Sequence, residues 1–62
     1  MFKIMDTKKK IWWCFTPKAV GLRVECIAGR TEGSRAGDWA KTARPGEKFA
    51  LDRCTVEYVE VV

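Results

Sequence analysis

The chain contains no histidine. That absence removes the side chain that most often serves as general base, or as partner to a nucleophile, near neutral pH. No serine or cysteine has an activating neighbour, and the carboxylates alternate with Lys and Arg as they do on a solvated surface. Gly29, Gly33 and Gly37 recur every four residues but lack the Lys-Ser/Thr ending of a phosphate loop. Three isolated cysteines without histidine cannot supply the four closely spaced ligands of a structural zinc site. These gaps argue against an enzyme, and no cofactor or metal is expected.

Other absences concern compartment and partners. No apolar run approaches the ~20 residues that span a bilayer, so no membrane association is expected. The opening Met1-Phe2-Lys3-Ile4-Met5 is interrupted by charge before a secretory signal could form. Cys14, Cys26 and Cys54 are odd in number, which rules out complete internal pairing. Free thiols in a reducing cytoplasm are the expectation.

What is present is a chain of 62 residues, expected to form a single domain over 1–62. A domain of this size buries only about 60% of its unfolded surface, close to the lower limit for folding on a hydrophobic core alone. Three Trp, three Phe and one Tyr make a core feasible. The net charge of +4 favours acidic surfaces and polyanions mildly.

The alternation of apolar and polar residues predicts a mainly β fold. The expected form is a small antiparallel sheet, or an SH3/OB-like barrel, of about five short strands: two hairpins and a central strand. Residues 2–15 read as the first hairpin, turning at Asp6-Thr7-Lys8-Lys9. Pairing Met5 with Lys10 places Phe2, Ile4, Ile11 and Trp13 on an apolar face. Lys3, Met5, Lys10 and Trp12 then share the opposite face. Thr16-Pro17-Lys18-Ala19 reads as a connection. Val20, Leu22, Val24, Cys26 and Ala28 alternate as on a half-buried central strand, with Cys26 inward.

Residues 29–37 read as an exposed, irregular loop. Ala36, Trp39, Ala40 and Ala43 then follow the spacing of a short helix near 35–44, capped by Ser34 and stopped by Pro45-Gly46. A second hairpin over 47–62 pairs Leu51 with Val56, leaving Cys54 in the turn. Its apolar face comprises Phe49, Leu51, Val56 and Tyr58.

Two surfaces are candidate binding sites. The first combines Lys3, Lys10 and Trp12 with Lys8 and Lys9 of the turn. Aromatic rings interleaved with cations suit an acidic protein surface, or single-stranded nucleic acid stacked on the ring. The plainer alternative is that Trp12 is ordinary core. The second is the loop carrying Arg30 and Arg35, continued by Lys41 and Arg44; Glu32 and Asp38 dilute its charge, so a solvated connection is the simpler reading. The terminal Val-Glu-Val-Val at 59–62 is apolar on both faces and could pair with a second copy at a sheet edge. The expected function is a non-enzymatic protein-binding module, a small regulator or inhibitor that masks a partner surface. The alternative is a nucleic-acid-binding β-domain.

Overall fold

The structure, a computed structural model, describes residues 1–60. It corrects the expectation of a mainly β protein. The chain forms two strands, two helices and two strands in order: β1 (Phe2–Asp6), β2 (Ile11–Cys14), α1 (Pro17–Ala28), α2 (Arg30–Thr42), β3 (Lys48–Ala50) and β4 (Cys54–Tyr58). The strands make one antiparallel sheet in the order β2-β1-β4-β3. Both helices pack on one face of that sheet, giving an α+β sandwich rather than a barrel of about five strands.

The expected central strand is α1. Val20, Val24 and Ala28 satisfy a helical spacing of four as well as an alternation of two, so pattern alone does not separate the two states. The boundary decides it. Thr16 is the N-cap, its Oγ1 accepting a hydrogen bond from the Ala19 amide at 3.1 Å, and Pro17 occupies the first turn, where its missing N–H has no consequence. On the helix, Val20 and Val24 are fully buried while Leu22 and Cys26 face solvent.

The expected loop at 29–37 is also helical. The helix foreseen near 35–44 starts earlier, at Arg30, without any cap from Ser34, and ends at Thr42. Gly29 alone joins the helices: its φ of 97° ends α1, and its amide donates to the Glu25 carbonyl. The helices then run antiparallel at very close range. A Cβ on Gly33 would lie 2.7 Å from the Gly21 carbonyl oxygen and 2.8 Å from Glu25 Cβ, and Gly37 meets Gly21 and Pro17 in the same seam. Gly33 and Gly37, one helical turn apart, therefore form the packing face of α2 against Gly21, while Gly29 serves the link.

Between sheet and helices, Phe2, Ile4, Cys14, Cys54 and Val56 meet Val20, Val24, Ala36 and Ala40 in one core. Trp39 extends it, packing edge-on to Phe2 (6.1 Å between centroids) and stacking on Phe49 (5.5 Å). No buried side-chain polar atom among the described residues lacks a partner.

Candidate interaction surface

The first hairpin decides which tryptophan faces outward. Asp6 pairs with Lys10: the Asp6 amide donates to the Lys10 carbonyl, and the Lys9 amide donates to that of Asp6, both at 3.0 Å. Asp6 Oδ1 accepts from the Lys8 and Lys10 amides, each at 2.9 Å. Lys9 takes a φ of 67°. The turn therefore has three residues, Thr7 to Lys9, with a left-handed third residue, instead of the expected four. One residue of slip reverses every side chain of β2 relative to the expected sorting.

The pairs are Phe2–Cys14, Lys3–Trp13, Ile4–Trp12 and Met5–Ile11. Trp12, not Trp13, lies on the helix side beside the core, and Trp13 joins Lys3, Met5 and Ile11 on the open face. The expected grouping of Lys3 with Trp12 is thereby overturned, since they sit on opposite faces.

Lys10 Nζ and the Arg23 guanidinium each lie over the Trp12 ring, at 5.2 and 5.3 Å from its centroid. Trp12, Lys8, Arg23, Cys26 and Arg53 line one groove beside the turn. Lys3 instead faces Glu57 across the sheet, and Glu57 faces Lys48.

The second expected site disperses along α2. Arg30 pairs with Glu25 (3.7 Å), Arg35 with Glu32 (2.9 Å) and Lys41 with Asp38 (3.6 Å), while Arg35 also covers the Phe49 ring. Arg44 lies beyond the helix, its amide donating to Glu47. These cations belong to a solvated helix surface with local acid partners.

What sequence reasoning missed is an apolar strip along β2 and α1. Ile11, Trp13, Phe15 and Leu22 are 43%, 51%, 73% and 55% exposed. Trp13, Phe15 and Leu22 border a groove of about 500 Å³, with Trp12, Ala19 and Arg23 in its walls. The legible signal was Thr16-Pro17: read as a helix start, it turns Leu22 and Arg23 toward the end of β2.

Charge concentrates on the same side. Residues 1–24 hold six of the twelve Lys and Arg but only one acid, Asp6; the other six cations share the rest of the chain with seven acids. The excess positive charge thus lies mainly in the first turn, at Lys8, Lys9 and Lys10, with Lys18 and Arg23 on α1.

The cysteines offer little chemistry. Burial pushes the Cys14 thiol up from its ordinary 9.0, against a smaller opposing pull from Arg23. Burial, reinforced by Glu32 and Asp6, does the same to Cys54, which sits in β4 and not in a turn. Both stay protonated, unreactive thiols at neutral pH. Cys26, expected inward, is exposed.

The proposed dimer edge at 59–62 falls partly outside the described residues, which exclude Val61 and Val62. Up to Tyr58, β4 is an inner strand paired with both β1 and β3; the sheet edges are β2 and β3. Among the described residues, no helix is long and apolar enough to cross a membrane. No family model, curated protein or solved structure matches this chain.

Proposed function

We propose that this chain is a non-enzymatic protein-binding module of the reducing cytoplasm that masks an acidic partner surface. The observation that carries the reading is the exposed strip of Ile11, Trp13, Phe15 and Leu22, bordered by the unbalanced cations of the same side. Exposing large apolar side chains on a domain this small costs free energy, and covering them recovers it, at about 25 cal/mol per Å². The groove lined by Trp13 and Arg23 also combines two residue types enriched at interface hot spots.

A nucleic-acid reading has one supporting observation, the groove holding Trp12 among Lys8, Arg23 and Arg53. It ranks second because Lys10 and Arg23 already occupy the Trp12 ring, where a base would have to stack.

The two readings separate in a retention experiment on nuclease-treated lysate, comparing the immobilised chain with a Trp13→Ala/Phe15→Ser double variant of unchanged circular dichroism. The expected result is a set of proteins held by the parent and lost by the variant. Retention should weaken only modestly between about 50 and 200 mM salt, where phosphate-driven binding would fall by orders of magnitude. Recovery of nucleic acid alone from untreated lysate, unaffected by the double variant, would overturn the proposal.

A further inference from the structure

The two edges of the sheet differ in how they meet solvent. β3 has three residues, begins at the exposed Lys48 and follows Pro45-Gly46-Glu47. Short length, charge and a nearby proline are the usual devices that discourage a further strand. β2 is apolar along its length, and its cations lie at the turn and on α1, not within the strand.

The ladder fixes which backbone groups of β2 are free. Since the Asp6 amide donates to the Lys10 carbonyl, alternation makes Ile4–Trp12 and Phe2–Cys14 the hydrogen-bonded pairs. Ile11 and Trp13 consequently turn their N–H and C=O groups outward, away from β1. Their side chains stand on the open face, exposed. The residues most available for strand pairing are therefore the same residues that present apolar surface.

We propose that this edge accepts an extended segment of a partner protein as a fifth strand, and that the segment alternates apolar and acidic side chains. The inference rests on the protein-binding reading and adds its mode and chemistry. An incoming strand would exchange hydrogen bonds with Ile11 and Trp13, and its residues opposite them would cover those side chains on the open face. The residue between, opposite Trp12, projects to the helix side. There it meets Lys10 and Arg23, which have no carboxylate within ion-pair distance among the described residues. A carboxylate at that position supplies the missing counter-charge, and its apolar neighbours cover Trp13 and Ile11. Lys8 and Lys9 extend the positive field toward the turn and favour an acidic segment over a basic one in the encounter.

The test titrates the reduced full chain with a short capped peptide alternating Val and Glu, following tryptophan fluorescence and amide exchange by NMR. Three comparison peptides are used: one alternating Val and Lys, one alternating Val and Ser, and the Val/Glu peptide N-methylated on the residues that would bond the edge. The Val/Glu peptide should bind at least about tenfold more tightly than the Val/Lys and N-methylated peptides, with Val/Ser between, a difference of about 1.4 kcal/mol. The Ile11 and Trp13 amides should become protected on binding. Arg23→Glu, at an exposed helix position, should keep the fold and reduce the preference for Val/Glu over Val/Lys severalfold.

Equal binding of the N-methylated peptide would overturn strand addition, and equal binding of Val/Lys would overturn the acidic chemistry. Protection of both amides without peptide, together with dimer formation in sedimentation, would make a second copy the occupant and overturn the proposal. If the lysate proteins are lost in the Trp13→Ala/Phe15→Ser variant but no peptide binds, protein binding stands and this mode of it falls.

Discussion

The two β-hairpins use similar residues and depart from simple pattern reading in opposite ways. In the first, the alternation favours Ile4 opposite Ile11, whereas the structure pairs Ile4 with Trp12. In the second, it favours Phe49 opposite Tyr58, whereas the structure pairs Phe49 with Val56. The first slip is by one residue and the second by two. Because strand side chains alternate with a period of two, the first exchanges the faces of β2 and the second leaves Phe49, Leu51, Val56 and Tyr58 together on the inner face. An error of register matters by its parity more than by its size.

The cause is turn chemistry. Asp6 organises a three-residue turn by accepting two amides, with Lys9 in a left-handed conformation that a glycine would have advertised. The other hairpin closes tightly around Asp52-Arg53, the Leu51 amide donating to the Cys54 carbonyl at 2.8 Å.

The largest test of this contrast compares adjacent tryptophans. Trp12→Ala should lower stability by roughly 2–3 kcal/mol, less than a fully buried tryptophan because Trp12 is only half-buried. Trp13→Ala should cost under about 1 kcal/mol, as an open-face change. Urea unfolding at equal ionic strength measures both, against a total of about 3–9 kcal/mol for a chain of this length. Equal losses, or a larger loss at Trp13, would restore the four-residue turn.

A smaller effect is expected at the turns themselves. Asp6→Ala removes two hydrogen-bond acceptances and should cost about 1–2 kcal/mol. Asp52→Ala, at an exposed residue with no side-chain hydrogen bond among the described residues, should stay within about 0.5 kcal/mol. Lys9→Gly should raise stability by up to about 1 kcal/mol by relieving its positive φ. A neutral Asp6→Ala would mean the side chain does not set the register.

The smallest effect is in alkali, where each hairpin contributes one buried thiol. A thiol pKa that is higher folded than unfolded gives stability that is complete below the unfolded value and lost as pH rises through the folded one. Stability should therefore decline from about pH 9 upward. Cys54→Ala and Cys14→Ala should each flatten that decline, since burial raises both thiols, opposed by Arg23 at Cys14 and reinforced by Glu32 and Asp6 at Cys54. Denaturation midpoints across pH 8 to 10, each variant compared with itself at pH 7, decide it; an equal slope in all three proteins would mean that folding raises neither thiol.

Much of the wrong fold class traces to one segment. Val20, Leu22, Val24, Cys26 and Ala28 alternate as well as any strand, yet Thr16-Pro17 before them is a helix start and the glycines after them repeat every four residues. Read together, those local signals outweigh the alternation, because a capped first turn and a small-residue seam describe two packed helices. The candidate surface was legible in composition, as Trp, Phe and Lys in the first quarter of the chain, and in the Thr16-Pro17 helix start. Its geometry was not, since the orientation of Trp13 depended on a single turn residue and the exposure of Leu22 on the helix.

The sequence by itself determined a small, positively charged chain with two hairpins, three cysteines and no histidine. Charge, residue type and local turn capacity are properties of the chain and survive any fold. Only the tertiary structure decided that 17–42 is a helical hairpin, that Trp13 is the outward tryptophan, and that β2, rather than the C-terminal strand through Tyr58, is an open edge. Those outcomes depend on which surfaces find partners. Val20 and Val24 are buried by docking α1 on the sheet, and the missing side chain of Gly33 lets α2 lie against Gly21 of α1. Burial is a property of the assembled molecule, and it selects among local patterns that are otherwise equally satisfied.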